Sequence, residues 1–295
     1  MSAAGSRRGA GWMLAAPALA VLALAFGWPM LILARMSLNR TGDGGELIPA
    51  LSPQTYRHLA ADAFTWSMSW DSLALSAVSA TAATVLAYPM ALFLFRTRSR
   101  WRNLLAILAA APLLVSGTAR VIGWLAILGD GGMINAALRA LGLPTQHLLN
   151  NWTGVRIGLT ESVMPYIILA LLAGFGRLDP QLEEAAATLG APPVTRFWRI
   201  TFRLTLPAVS AAWVLGFVLA ISAFITPHLM GGGRVFVLAT EIYDAATETL
   251  DWPRAAALSV YALLLLALLL AAQSALGSAL GSALGRRAAP ADDAA

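Results

Sequence analysis

Few residues of this sequence have side chains that could carry out chemistry. None of the 295 residues is Cys, which excludes disulfides, thiolate metal ligands and cysteine nucleophiles. The three histidines, His58, His147 and His228, lie far apart and no two of them are one helical turn apart, so we expect no metal site. Neither the HExxH pattern of zinc peptidases nor the GxSxG pattern of serine hydrolases occurs. The sequence therefore indicates no catalytic site.

The basic residues exclude a further kind of chemistry. All 20 of them are Arg, whereas the phosphate-binding loop of many ATPases requires the Lys of its GxxxxGK[ST] pattern. We therefore expect that the chain is not an enzyme, has no nucleotide site of this kind and binds no cofactor. Work driven by ATP would need a separate chain that hydrolyses it.

Two charged residues, Arg120 and Glu161, interrupt long apolar runs. Such charges cost about 3 kcal/mol at the centre of a bilayer on insertion scales, so they should face a polar cavity or each other. At 1.5 Å per helical residue they lie roughly 12 Å and roughly 6 Å below the outer membrane surface, a difference that an Arg side chain can span. Two roles stay open: a structural ion pair between two spans, or a solute pathway in which Glu161 attracts a cation.

Helices in a membrane must position these residues. Hydrophobic residues make up 58% and charged residues 12% of the chain, and the mean hydropathy is +0.70, which excludes a water-soluble fold. A transmembrane helix needs about 20 apolar residues. Six stretches are of about this length: 12–34, 73–95, 104–128, 157–175, 206–230 and 255–276. The sequence thus predicts an all-α integral membrane protein in which six transmembrane helices form a single domain over residues 1–295.

Arginine clusters predict which loops face the cytoplasm. They comprise Arg7 and Arg8 before the first span, Arg96, Arg98, Arg100 and Arg102 after the second, Arg177, Arg196, Arg199 and Arg203 after the fourth, and Arg286 and Arg287 after the last. An even number of spans puts both termini on one side of the membrane, and these clusters make that side the cytoplasm. The first span could instead be a signal peptide, although its apolar run exceeds the roughly 7–15 residues typical of one.

The predicted cytoplasmic loop 177–206 contains more helix-start and helix-stop signals than a simple connection requires. Asp179-Pro180 is a good N-cap followed by a good first helical residue. Glu183-Glu184 lies near the helix start, where the helix dipole favours acids. Gly190 suits the end of a helix, and Pro192-Pro193 can begin a second helix but cannot continue the first. We expect two short helices joined by a sharp turn.

In this loop the sequence resembles the inner-membrane permeases of binding-protein-dependent ABC importers. Their signature is EAA, three residues, Gly, nine residues and then I-x-L-P. Glu184-Ala185-Ala186, Gly190 and Ile200 stand at the matching positions. The sequence departs from the signature at Phe202-Arg203, which replaces the expected Leu-Pro, while Leu206-Pro207 follows four residues later.

Other segments resemble the polyamine (spermidine/putrescine) branch of these permeases. They are 112–135, which includes Arg120, Trp124, Gly129 and Asn135, together with 226–232 and 251–253. The resemblance covers about residues 12 to 275. It implies the type I bundle of importer permeases in the bacterial inner membrane, forming half of the pathway for a small cationic solute such as a polyamine.

The resemblance also implies partners and a coupling role. Permeases of this family work with a pair of cytoplasmic ABC ATPases, a second permease subunit and an extracytoplasmic, or periplasmic, solute-binding protein; they contact membrane lipid and no nucleic acid. The turn between the two short helices docks in a groove of the ATPase. This assigns coupling to six residues: Glu183, Glu184, Ala185, Ala186, Leu189 and Gly190. The alternative is a secondary carrier or channel driven by an ion gradient, which needs intramembrane acids such as Glu161.

Overall fold

The computed structural model describes residues 16–42, 47–97, 99–176 and 178–288. Arg7, Arg8, Arg98 and Arg177, which contribute to the predicted orientation, lie outside the described residues, as do residues 12–15 of the predicted first span. The described part of the chain is largely helical, with one short two-stranded hairpin. The all-α prediction is confirmed.

Six helical segments in the described residues are long and apolar enough to cross a membrane. In chain order the elements are α1 (Ala16–Met36), β1 (Arg40–Thr41), β2 (Leu47–Ile48), α2 (Gln54–Ala61), α3 (Ala63–Arg96), α4 (Arg102–Ala110), α5 (Gly117–Leu128), α6 (Met133–Ala140), α7 (Trp152–Phe175), α8 (Pro180–Thr188), α9 (Pro193–Ile221), α10 (Ile225–Gly231), α11 (Leu238–Thr247) and α12 (Trp252–Ala288). The six segments are α1, α3, α5 with α6, α7, α9 and the first part of α12. The six-span prediction therefore agrees with the structure in number.

The described residues pack as two compact units, a central unit of Phe64–Thr240 and a terminal unit of Met1–Ala63 with Glu241–Ala295. In the terminal unit, α12 packs against α1 and α2. The strands β1 and β2 pair antiparallel, with Arg40 opposite Ile48. Thr41 Oγ1 donates a 2.6 Å hydrogen bond to Asp251, just before α12, and so ties the hairpin to the start of that helix.

In the central unit α3, α7 and α9 pack closely through small residues. The buried core includes three alanines of α3, at 83, 87 and 91, and Ile167 and Leu171 of α7. At Gly216 of α9 a Cβ atom would collide with the side chain of Ile167. Spans associate through such close contacts because lipid offers no hydrophobic driving force between helices.

The predicted third span, 104–128, is not one continuous helix. α4 ends at Ala110, a 3₁₀ turn covers Ala111–Leu114, and α5 starts only at Gly117. Pro112 explains the interruption, because a proline inside a helix removes one backbone donor and its ring clashes with the preceding turn. Val115 and Ser116 are extended, with ψ of 137° and 135°. By length and composition the candidate span covers Gly117–Ala140, which comprises α5 and α6 with a turn at residues 129–132 between them.

The predicted fifth span, 206–230, also differs from the observed helices. α9 begins at Pro193 and ends at Ile221, and α10 starts after a break at Ser222–Phe224. Pro227 stands in the first turn of α10, where a missing N–H costs nothing, whereas a helix continuous from α9 would lose a hydrogen bond there. The hydrophobic run is therefore divided between two helices.

Candidate functional site

The predicted helix–turn–helix is present in the loop that follows α7. Asp179 caps α8 by accepting a 2.9 Å hydrogen bond from the backbone N–H of Gln181. At the other end Gly190 has a φ of +78°, and Gly190 and Ala191 donate backbone hydrogen bonds to the last turn of α8. This left-handed conformation favours glycine. Pro193 then begins α9, so the chain makes the sharp turn that the sequence predicts.

The turn presents a small surface to the solvent. Leu189, the last residue before the turn at Gly190, is 87% exposed. Glu184 is exposed as well and has no hydrogen bond or ion pair with any described residue. Among the other candidate coupling residues, Ala185 is exposed and Ala186 is half-buried. The outward surface therefore consists of Glu184, Ala185, Leu189 and Gly190.

Glu183 points the other way. Its carboxylate accepts hydrogen bonds from Arg96, at the end of α3, and from the hydroxyl of Thr201 in α9. Arg96 also donates to the Thr201 hydroxyl at 3.2 Å. Sequence analysis did not identify Arg96 or Thr201 as partners of Glu183. The available signal was the position of Arg96 at the cytoplasmic end of the predicted second span.

The segment that carries Thr201 has an unusual helical geometry. Phe197–Thr201 form a π-helical turn in which the backbone N–H of Phe202 bonds to the carbonyl of Phe197. The helix then continues through Pro207 to Ile221. Leu206-Pro207, which stands four residues after the position that the signature gives to Leu-Pro, therefore lies within one continuous helical segment. Such π-turns often occur at functional sites.

A cavity of about 450 Å³ lies between α8 and the neighbouring ends of α3 and α9. Its walls carry charges of both signs from Arg96, Arg102, Arg196, Asp179, Glu183 and Glu184. The Nε atom of Arg196 is buried and has no partner among the described residues. The cavity means that α8 is held at a distance from the spans by a few polar contacts and is not packed tightly against them.

Arg120 of α5 and Glu161 of α7 are close together within the membrane spans. Arg120 Nη1 lies 3.3 Å from Glu161 Oε1, and Arg120 Nη2 lies 3.4 Å from Ser162 Oγ. Their side chains are 14% and 24% exposed. Arg120 Nε is buried without a partner among the described residues. The geometry fits an ion pair in a partly accessible place, which both predicted roles require.

The histidines do not form a site with one another. His147 Nδ1 lies 3.0 Å from Asp130 Oδ1 on an exposed surface. His58 lies in α2 of the terminal unit and His228 in α10 of the central unit. Within the described ranges, no three His, Cys, Asp or Glu side chains are grouped so as to hold a metal ion.

Comparisons with known proteins match most of the chain. The family model described as "Binding-protein-dependent transport system inner membrane component" matches residues 81–288. The spermidine/putrescine transport system permease protein PotB of Haemophilus influenzae is 29% identical over 241 residues, covering 81% of this chain and 84% of PotB. PotB of Escherichia coli is 31% identical over 199 residues, covering 67% and 72%. The molybdenum transport system permease protein ModB of Mycobacterium tuberculosis is 32% identical over 209 residues, covering 69% and 78%.

Solved structures match the fold over nearly the whole chain. A chain of a bacterial ABC transporter involved in the import of the acidic polysaccharide alginate aligns with a TM-score of 0.71, covering 97% of this chain and 98% of that one. Its sequence is 17% identical, so this similarity concerns the fold alone.

Proposed function

Because the chain belongs to the family of binding-protein-dependent transport system inner membrane components, we propose that it forms half of the pathway for a small cationic solute of the polyamine class. It is a permease subunit of an ABC importer and a multi-pass protein of the bacterial inner membrane. A permease subunit is not by itself an enzyme. We infer that the chain has no nucleotide site of its own and works with a dimeric ATPase, a second permease subunit and an extracytoplasmic binding protein.

The observation that carries the coupling part of this proposal is the exposed turn after α8. Leu189, an apolar side chain that is 87% exposed, precedes a glycine in the left-handed conformation, and the carboxylate of Glu184 in the helix before them is exposed and has no partner among the described residues. An apolar side chain that protrudes in this way can fill a pocket of a partner. The carboxylate can accept charge-assisted hydrogen bonds from Arg or from backbone donors of that partner. We assign these residues, with Ala185 and Ala186, to contact with the ATPase.

We further propose that residues 1–295 form one transmembrane domain with both termini in the cytoplasm. The arginine clusters support this orientation through the positive-inside rule. The bond between Arg96 and Glu183 adds support, because it requires the Arg-rich segment after α3 and the loop 177–206 to lie at the same end of the central unit.

The polyamine assignment draws on two observations. Two of the relatives above are spermidine/putrescine permeases. In addition, Glu161 supplies a carboxylate within the spans that remains partly accessible beside Arg120. A carboxylate in such a place can attract a cation as it passes, since charges within a membrane face cavities or partners.

Transport by the reconstituted complex tests the proposal. The permease would be placed in proteoliposomes with its partner permease, the ATPase and the binding protein, and uptake of labelled spermidine would be followed with and without ATP. We expect uptake that requires ATP and every subunit. Uptake by this chain alone under a proton or sodium gradient would instead establish the secondary carrier. ATP-driven uptake of molybdate but not of spermidine would retain the importer and overturn the cationic solute.

A further inference from the structure

The contacts of α8 with the rest of the central unit are few. None of its described side chains is fully buried. Among them only Glu183 bonds to another element, through Arg96 of α3 and Thr201 of α9. The short connections on either side contain Gly176 and Gly190, which allow backbone rotation. The position of α8 relative to the spans therefore depends largely on one carboxylate.

The partners of Glu183 are joined to each other further into the membrane. Thr201, which is 1% exposed, accepts a 2.9 Å hydrogen bond at its carbonyl from Thr205 Oγ1. Thr205 Oγ1 lies 3.0 Å from the hydroxyl of Tyr88 in α3. The ring of Tyr88 packs edge-on against Phe202 of α9, with centroids 5.9 Å apart. α3 and α9 are thus fastened together, and Glu183 joins α8 to both.

The neighbouring Glu184 provides the contrast. Successive residues of an α-helix point about 100° apart, so the two carboxylates face in different directions. Glu183 is directed toward the spans and bonded, whereas Glu184 is exposed and bonded to no described residue. Both residues line the cavity beside α8, but only Glu183 is bonded to the spans, and Glu184 is exposed with no bond from its carboxylate to a described residue.

We propose that Glu183 is a positioning residue, which fixes α8 to the cytoplasmic ends of α3 and α9 so that a displacement of α8 moves these two spans. The inference rests on the proposed function, in which an ATPase docks on the outward surface and displaces α8. Glu184 makes that docking contact, and Glu183 transmits the displacement. Because partly exposed ion pairs contribute little to folding stability, loss of the pair leaves the chain folded and releases α8.

A distance measurement tests this without knowledge of the solute. Spin labels would be attached to Leu182→Cys in α8 and Phe93→Cys in α3, both exposed positions in a chain with no native Cys. In the assembled complex we expect one narrow distance distribution that is the same with and without ATP. Glu183→Ala should broaden it or make it depend on the nucleotide, and Gln181→Ala, a control at an exposed position of the same helix, should not. A narrow, unchanged distribution in Glu183→Ala would overturn the proposal.

The coupling of ATP hydrolysis to spermidine uptake provides a second measurement. In proteoliposomes, Glu183→Ala should keep the ATPase bound and hydrolysing while spermidine uptake per ATP falls about tenfold, a coupling change of ordinary size. Glu184→Ala should lose the ATPase on purification. The exchange Arg96→Glu with Glu183→Arg should restore uptake, because it restores the ion pair. Release of the ATPase by Glu183→Ala, or normal coupling in it, would contradict the proposal.

The proposed function and the positioning role of Glu183 can fail separately. If the unsubstituted chain binds no ATPase, the proposed function fails. The label distances measured without nucleotide still decide whether Glu183 fixes α8, since that contact lies wholly within the chain.

Discussion

Arg120 and Glu161 are held together in a part of the molecule where an unpaired charge is expensive. A single Arg or Asp at the centre of a bilayer costs about 2.5–3.5 kcal/mol on insertion scales. The pair is only partly accessible, at 14% and 24%, so each side chain depends on the other for neutralisation. Removing one partner leaves the other charge uncompensated, whereas removing both need not be destabilising.

The first prediction follows from this dependence. Glu161→Gln should lower the stability of the purified chain by about 2–3 kcal/mol, because Arg120 keeps its charge. Arg120→Gln combined with Glu161→Gln should recover most of that loss. Thermal unfolding in detergent measures both.

Transport by the same variants separates the two roles of the pair. If the double variant is stable and carries spermidine normally, the pair is structural. Weak spermidine uptake by a stable, fully assembled double variant would place Glu161 on the solute pathway. Unchanged stability in Glu161→Gln would contradict the first prediction, whichever role the pair has.

At Gly190 the effect of backbone conformation can be measured separately from the effect of side-chain size, which gives a second prediction. Its φ of +78° is strained for any residue with a side chain, yet a Cβ atom there would meet nothing within 4 Å. Asn tolerates the left-handed region and a β-branched residue does not. Gly190→Val should therefore unwind the turn and release the ATPase, while Gly190→Asn should retain it. Co-purification of the ATPase measures this, and equal retention in both variants would remove the turn geometry from the docking contact.

At the scale of elements, the close contact between α7 and α9 supports a third prediction. A Cβ atom at Gly216 would collide with Ile167, and forcing extra atoms into a packed core costs about 1–3 kcal/mol. Gly123 of α5 is the control, because a Cβ there would meet nothing within 4 Å. Gly216→Ala should lower the unfolding temperature of the chain, and Gly123→Ala should leave it unchanged or raise it slightly. An unchanged unfolding temperature in Gly216→Ala would mean that α7 and α9 move apart at little cost in free energy.

For the helices, the sequence predicts the number of spans but not the breaks within the apolar runs. Six spans follow from hydropathy alone, because each apolar run is about as long as the hydrocarbon core is thick. The breaks at Val115–Ser116 and Ser222–Phe224 do not, because both lie inside runs that are apolar enough on average to count as one span. Hydropathy measures the cost of exposing side chains to water and carries no information on backbone continuity. Pro112 and Pro227 are local signals of these breaks, but Pro89, Pro165 and Pro207 lie inside continuous helices, so a proline alone does not predict a break.

In the candidate site, too, the sequence predicts the local features but not the contacts between distant residues. Capping by Asp179 and the turn at Gly190 were predictable, because each depends on residues within one or two helical turns. The different bonding of Glu183 and Glu184 was not. It is decided by Arg96, which lies 87 residues from Glu183 in sequence. Local rules place both acids near a helix start and cannot show which of them finds a partner.

At the scale of the whole molecule, the orientation in the membrane determines which side every proposed contact faces. An inverted chain would present Leu189 and Glu184 to the outside, away from any ATPase. The absence of Cys makes orientation measurable with single introduced thiols. Ser99→Cys and Leu189→Cys lie on the predicted cytoplasmic side, and Thr41→Cys and Leu141→Cys lie on the outer side; all four positions are exposed.

The last prediction concerns these four thiols and a membrane-impermeant maleimide. In intact spheroplasts Thr41→Cys and Leu141→Cys should react, and the two cytoplasmic thiols should react only in inside-out vesicles, because the arginine clusters hold their loops in the cytoplasm. In those vesicles the ATPase should protect Leu189→Cys but leave Ser99→Cys reactive, since docking covers the turn after α8. Reaction of Leu189→Cys from outside would reverse the topology and exclude the docking contact. Equal labelling of Leu189→Cys with and without the ATPase would keep the topology and place the docking contact elsewhere.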